Sequence, residues 1–132
     1  MNGNVILVGD DYEMLMQLAV ALHGTPDTLT VAESARPLER ALELARLRPR
    51  AMLVTLDGTE NVVDVRSLLS TSPETGFVLV VPEMPVRAPL ARVVKEHEGL
   101  LVSRRDAPIV VVATLLALLA APPAARHPSG AA

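Results

Sequence analysis

The chain has 132 residues, which is enough for one domain with a hydrophobic core and too few for two. Half of its residues are hydrophobic but only Tyr12 and Phe77 are aromatic, so an aliphatic α/β or all-α core is expected rather than a β-sandwich. A net charge of −3 without a basic stripe argues against nucleic-acid binding by this chain alone, and the absence of cysteine excludes disulfides and thiolate metal sites.

Strand-like and helix-like segments alternate five times along the chain. The apolar runs that predict buried strands lie at residues 4–9, 29–32, 51–56, 77–81 and 100–103. Helical spacing follows each of them, at 11–24, at 34–49 with Ser34 as the predicted N-cap, and at 62–69, 90–97 and 109–121. This (βα)₅ order predicts a doubly wound, flavodoxin-like parallel sheet with the strand order 2-1-3-4-5.

Neither end of the sequence predicts a membrane segment. The N-terminus has no basic region followed by an apolar run of signal-peptide length. The uncharged stretch 107–125 holds 13 residues between Pro108 and Pro122, against the roughly 20 that a membrane-spanning helix requires. We therefore expect a cytoplasmic protein.

An acidic pair, Asp10 and Asp11, follows directly on the first strand. Ligands of parallel α/β sheets bind at the carboxyl ends of the strands, and Mg²⁺ is held there by one or two carboxylates. The pair is therefore a candidate for a weak Mg²⁺ site. The alternative is purely structural: a helix N-cap and a first-turn acid favoured by the helix dipole.

Two segments carry a resemblance to a known family. The run Val5-Ile6-Leu7-Val8-Gly9-Asp10-Asp11, the spacing of the next two strands and Arg105-Asp106-Ala107 before the last helix together resemble a receiver domain of a bacterial two-component response regulator. The resemblance covers residues 4 to about 121. The segment Arg105-Asp106-Ala107-Pro108 is similar to the start of the last helix in receivers joined to LuxR-type helix-turn-helix domains. The resemblance implies a receiver-like domain at 1–121 and a Pro/Ala-rich linker or tail at 122–132, with DNA contacted only through a downstream domain absent from this chain.

The resemblance also implies positions for the phosphorylation machinery. In receivers an acidic pair binds Mg²⁺ and an aspartate at the end of strand three accepts the phosphoryl group. The pair falls on Asp10 and Asp11, but the acceptor position, counted from Pro49, falls on Thr55. Asp57, two residues later, is the remaining candidate acceptor, and its neighbour Gly58 equally indicates a turn.

The two remaining receiver positions are altered as well. The hydroxyl residue that ends strand four falls on Val81 or Pro82, and neither side chain has a hydroxyl. The lysine that ends strand five falls on Arg105, or on Arg104 if the register slips by one residue. Either arginine is a solvated charge or neutralises one of the acids and closes the site without phosphate. The chain thus resembles a degenerate receiver, also called a pseudo-receiver or atypical receiver.

The last predicted helix is apolar on nearly every side. A helix that covers a sheet needs one apolar stripe and a polar outer face, and a large exposed apolar patch is unusual on a soluble monomer. We therefore expect a homodimer through this helix, with an alanine-rich monomeric helix as the alternative. The predicted interface residues are Ile109, Val112, Leu115, Leu116 and Leu119.

These expectations combine into one functional hypothesis. The chain is interpreted as a non-enzymatic regulatory and dimerisation domain of an atypical response regulator, acting in transcription regulation with phosphorylation lost or altered. Either dimerisation is then constitutive, or a small ligand or a protein partner biases the equilibrium. One alternative is a working receiver that takes a phosphoryl group from a histidine kinase on Asp57, and another is a stand-alone protein-interaction domain.

Overall fold

A computed structural model of the chain describes residues 4–106 and 108–120. The predicted tail at 122–132 lies outside these residues. The strands are β1 Asn4–Gly9, β2 Thr28–Glu33, β3 Ala51–Thr55, β4 Gly76–Val81 and β5 Leu100–Ser103. The helices are α1 Tyr12–Ala21, α2 Pro37–Leu44, α3 Val62–Thr71, α4 Ala88–Glu96 and α5 Pro108–Ala120, with a 3₁₀ turn at Ala45–Leu47 after α2.

The five strands form one parallel sheet in the order β2-β1-β3-β4-β5. The predicted (βα)₅ fold and its strand order are thereby confirmed. The chain moves outward on one side from β1 to β2 and then crosses to β3, so the order reverses between β1 and β3. The carboxyl ends of those two strands flank the place where open α/β sheets bind ligands.

Alternate strand residues divide the core into two layers. One layer packs the sheet against α2, α3 and α4, and it includes Ile6, Val54 and Leu79. The other packs the opposite face against α1 and α5, and it includes Leu7 and Leu53. Every residue of β3 is buried, as expected for a central strand that is covered on both faces.

Two predicted helix ends differ from the observed ones. The first helix ends at Ala21 rather than at Gly24, which lies in the following turn with a φ of +100°. Ser34 does not cap the second helix, because Arg36 occupies the N-cap position before Pro37. The Ser34 hydroxyl instead accepts a hydrogen bond from the Arg36 amide at 3.1 Å, which makes it part of the preceding turn.

Helix α5 buries part of the predicted dimer interface in the core of its own chain. Val112, Leu115 and Leu119 are 9%, 0% and 6% exposed and pack in the layer beneath α1 and α5. The prediction is wrong for these three residues, because the sheet requires one face of the helix and takes it from this stripe. Ile109 and Leu116, at 75% and 41% exposure, lie on the outer side.

Helix α5 is also the most apolar helix of the chain. It contains 13 residues and no charge. Within residues 4–106 and 108–120, neither this helix nor another is both long and apolar enough to cross a bilayer.

Candidate functional site

The candidate site lies at the carboxyl edge of the sheet, where β1, β3 and β5 end. Asp10 follows β1, Thr55 ends β3, and Arg104 follows β5. Backbone hydrogen bonds hold the residues that follow β3 and β5 against β4. The Leu56 amide donates to the Val80 carbonyl at 2.8 Å, and the Arg104 amide donates to the Val81 carbonyl at 2.7 Å. The sheet thus extends its ladder one residue past β3 and β5 and holds Arg104 at its edge.

Asp10 is the centre of the polar contacts at this edge. Its Oδ1 accepts a hydrogen bond from the Arg104 guanidinium at 2.5 Å, which makes a charge-assisted ion pair between residues 94 positions apart. The two side chains are 44% and 33% exposed. The buried Thr55 hydroxyl lies 3.5 Å from the same oxygen, a weak contact. Asp10 therefore meets a cation and a hydroxyl.

Gly9 allows Thr55 to lie this close to β1. A Cβ atom built on Gly9 would lie 3.0 Å from Thr55 Cγ2, 3.1 Å from its Oγ1 and 3.2 Å from Leu15 Cδ2. Any larger residue would push Thr55 or helix α1 outward. Glycine is therefore required at position 9 for the β1 backbone to approach Thr55 this closely. This approach sets the spacing between Asp10 and the end of β3.

Asp11 has a structural role. Its Oδ1 accepts the Met14 amide at 3.1 Å and so caps helix α1, as the alternative reading of the acidic pair expects. Asp11 also lines a cavity of about 270 Å³ between α1 and α5, together with Arg104 and Asp106. Asp106 is held there by the Ser103 amide, which donates to its Oδ2 at 3.1 Å.

Asp57 lies apart from this cluster. It follows the end of β3 by two residues and lines a different cavity, of about 210 Å³, between the loops that precede α2 and α3. Its Oδ1 accepts the Thr59 hydroxyl at 2.6 Å and the Thr59 amide at 2.8 Å. The hydrogen bond from the Thr59 side chain, followed by that from its amide, lowers the pKa of Asp57 below the ordinary value.

The residues at the predicted hydroxyl and lysine positions have different surroundings. Val81 is 1% exposed and packs in the layer beneath α2, α3 and α4. Of the two arginines at the predicted lysine position, Arg104 and Arg105, it is Arg104 that contacts Asp10. Arg105 instead pairs with Glu83 in the loop after β4, at 2.6 Å with both side chains mostly exposed. Such an exposed pair adds little stability.

The acidic pair does not fit a Mg²⁺ ion in this arrangement. Oδ1 of Asp10 is bonded to a guanidinium, Oδ1 of Asp11 caps a helix, and Thr55 contributes a neutral hydroxyl at the end of β3. Among the described residues no group of three or more His, Cys, Asp or Glu side chains is placed to hold a metal ion. A positive charge is already in contact with the acid that a divalent ion would bind.

Sequence reasoning missed one connection between loops at this edge. Arg87, just before α4, donates to the Glu60 carbonyl at 2.8 Å, and Glu60 in turn accepts the Asp57 amide at 2.7 Å and the Gly58 amide at 3.0 Å. The start of α4 is therefore joined to the loop that carries Asp57. The one signal in the sequence is Arg87, two residues before Pro89 and just before a helix, which does not identify its partner.

Neither family models nor curated proteins match the sequence, but many solved structures match it. A LuxR-family two-component response regulator from Aurantimonas sp. shares 14% identity, with 91% of this chain and 86% of that chain covered and a TM-score of 0.68. The signal receiver domain of an HD domain-containing protein from Pseudomonas fluorescens shares 20% identity, with 90% and 95% covered and a TM-score of 0.68.

A protein that is described by a different role also has a similar fold. The pilus assembly protein CpaE from Caulobacter crescentus shares 15% identity, with 89% of this chain and 99% of that chain covered and a TM-score of 0.62. Identities this low establish architecture, and architecture alone does not establish a function. With the strand order β2-β1-β3-β4-β5 and helices on both faces, the chain has the fold of response-regulator receiver domains.

Proposed function

We propose that the chain is the regulatory receiver-like domain of an atypical response regulator, that it works without an aspartyl phosphate, and that it dimerises through the outer face of α5. It transmits a signal by changing its association with other proteins rather than by catalysis. Similarity to a LuxR-family regulator supports a role in transcription regulation. In that case a DNA-binding output domain contacts DNA, since this chain carries a net charge of −3.

The observation that carries this proposal is the residue at the end of β3. Thr55 lies beside Asp10, where the resemblance places the phosphoacceptor, and it is 1% exposed. A neutral hydroxyl is a weak nucleophile unless a base activates it, whereas Asp10 is already paired with Arg104. The nearest later acid, Asp57, is turned into its own loop by Thr59. Phosphoryl transfer at this edge therefore lacks an acceptor in the required place.

The outer face of α5 supports the dimer. The exposed residues of the helix carry no polar side chain, and its one polar residue, Thr114, is half-buried and bonded to the Val110 carbonyl. The exposed positions are Pro108, Ile109, Val110, Ala113, Leu116, Ala117 and Ala120. At helical spacing Ile109 and Leu116 lie on one side of this face. Leu100 in the edge strand β5 is a further exposed apolar residue, at 40%. The constitutive burial of this face in a second copy would remove the apolar surface from water without any phosphate signal.

The phosphorylation part is tested by intact-mass measurement after incubation with acetyl phosphate and Mg²⁺. We expect no species heavier by about 80 Da, the mass of one phosphoryl group, while a phosphorylatable receiver in the same reaction gains it. A gain that Asp57→Ala abolishes would establish the alternative, a working receiver that uses Asp57. A gain that survives Asp57→Ala would place the modification elsewhere and equally contradict the proposal.

The dimer part is tested by light scattering at micromolar concentration without a phosphodonor. We expect a dimer for the natural sequence and a monomer for Leu116→Glu, because a buried unpaired carboxylate is costly in an apolar interface. Val20→Glu on α1 is the matched control, since Val20 is also an exposed apolar helix residue, at 71%. A natural chain that is monomeric, or a Leu116→Glu variant that stays dimeric, would remove α5 as the interface.

A further inference from the structure

The last turn of α5 packs at the amino edge of the sheet, on the side away from the candidate site. Leu118 and Leu119 in this turn are 8% and 6% exposed. Leu118 contacts Gly76 at the start of β4, where an added Cβ atom would lie 2.7 Å from Leu118 Cγ and 2.8 Å from its Cδ1. The turn therefore lies directly against the strand backbone, in a place that glycine leaves open.

Helix α5 brings no positive charge of its own to this end. The last four carbonyl groups of a helix have no partner within the helix, and the helix dipole favours a cation near them. The last turn of α5 contains no basic residue. Arg50, 69 positions earlier in the chain, donates from its Nη2 to the Leu119 carbonyl. The cation at the end of α5 is thus supplied by the edge of the sheet.

Arg50 is fixed at its backbone and at its guanidinium. Its amide donates to the Asn4 carbonyl at 2.8 Å, and its carbonyl accepts the Gly76 amide at 3.0 Å. Its Nη1 donates to Oδ1 of Asp27, in the loop before β2, at 3.2 Å. The side chains of Asp27 and Arg50 are 2% and 28% exposed, so water screens this ion pair less than a pair on the open surface. The buried carboxylate therefore helps to direct the guanidinium toward the helix end.

We infer that Arg50 controls the order of the last turn of α5, residues 117–120, from the amino edge of the sheet. With its hydrogen bond in place, the chain continues from Ala120 into residues 121–132 in one fixed direction. Without it, this turn opens while the rest of α5 stays packed, because the end of a helix can open at a lower cost than the whole domain. The inference goes beyond the proposed function and depends neither on phosphorylation nor on dimerisation.

The experiment measures backbone ¹⁵N heteronuclear NOE values and Cα chemical shifts of the full chain, which report fast backbone motion and helical conformation. Arg50→Met keeps an apolar stem and removes the charge and the donors. We expect the NOE values and the helical shifts of residues 117–120 to fall by about half or more, with those of 109–114 and of α1 unchanged. Arg46→Met, at an exposed arginine in the nearby 3₁₀ turn, is the matched control and should change neither quantity.

Arg50→Lys is the milder variant. It keeps the charge but loses the two-pronged geometry of the guanidinium, so residues 117–120 should lose part of their order; this variant decides the matter if Arg50→Met does not fold. The inference is overturned if residues 117–120 keep their NOE values and shifts in the Arg50 variants, or if all helices lose order equally.

A dimer contact on the outer face of α5 could hold the same turn in place. The comparison is therefore repeated in the Leu116→Glu background, where the same loss of order at residues 117–120 is expected and its absence contradicts the inference. The mass after acetyl phosphate treatment and the light scattering of the natural chain test the proposed function separately, so failure of the inference and failure of that proposal are distinguishable.

Discussion

Replacing Gly9 with alanine tests how closely the strand that carries Asp10 must approach Thr55. The added Cβ would meet Thr55 Cγ2 at 3.0 Å and Leu15 Cδ2 at 3.2 Å. Both neighbours are buried, at 1% and 0% exposure, and neither is the flexible end of a long side chain. One of them must therefore shift within a close-packed layer between the sheet and α1.

Two opposing effects set the magnitude. Inserting a methyl group into a packed core costs about 1–3 kcal/mol of unfolding free energy. Against this, alanine restricts the unfolded chain and contributes about 0.4–1 kcal/mol where the native backbone suits it. Gly9 lies in a β-strand and has no positive φ, so that gain applies in full. The expected net loss from Gly9→Ala is about 0.5–2 kcal/mol.

Urea unfolding of Gly9→Ala, Thr55→Ala and the double variant measures the effect as a thermodynamic cycle. Thr55→Ala removes both atoms nearest to the new methyl group, so Gly9→Ala should cost about 1 kcal/mol less in that background than in the natural chain. A Gly9→Ala variant as stable as the natural chain, or a cost unchanged by Thr55→Ala, would refute the claim that this contact sets the spacing at the site.

Three further predictions concern other parts of the chain. Gly76→Ala places a methyl group into the side chain of Leu118, so it should destabilise the protein by about 1–3 kcal/mol in urea unfolding and should be partly rescued by Leu118→Ala. Arg50→Met removes an ion-pair partner of Asp27, whose side chain is 2% exposed, and a donor to the last turn of α5; we expect a loss of about 2–3 kcal/mol by the same assay, with less for Arg50→Lys. Loop hydrogen bonds lower the pKa of Asp57 in the folded state, so the ionised side chain stabilises the fold above the ordinary carboxylate pKa, and this stabilisation is lost as the pH falls through the lowered pKa. An NMR titration of Asp57 should therefore give a midpoint below the ordinary carboxylate pKa. Asp57→Asn should remove this part of the acid dependence of stability.

The fold could be predicted because local pattern and global architecture agree along the whole chain. Each strand is a short apolar run bounded by turn residues, and each helix but the last has a stripe at helical spacing. A central strand such as Ala51–Thr55 can only be apolar throughout if both faces are covered, which implies helices on both sides. The strand order followed from the parallel (βα)₅ alternation together with the family resemblance.

The site could be predicted less completely because it depends on shifts of one residue. Arg104 and Arg105 have the same side chain, and only the end of β5 at Ser103 decides which one turns toward Asp10. The interface residues of helix α5 were predicted incompletely for a different reason. When nearly every position is apolar, hydrophobic periodicity no longer marks the inner face, so the predicted interface mixed buried Leu115 with exposed Leu116.

The two main departures from the receiver pattern make physical sense together. An aspartate in place of Thr55, whose hydroxyl lies 3.5 Å from Oδ1 of Asp10, would bring a third acid to the sheet edge that carries Asp10 and Asp11, and a multivalent cation relieves repulsion among acids. A threonine removes that charge, so the single positive charge of Arg104 is enough to neutralise Asp10. Substitutions at Thr55 and Arg104 are therefore expected to depend on each other. Thr55→Asp alone should leave the third acid short of a counter-ion, and Arg104→Lys alone should leave the site without an acceptor; a chain that bears both changes is the one expected to take up Mg²⁺ and a phosphoryl group.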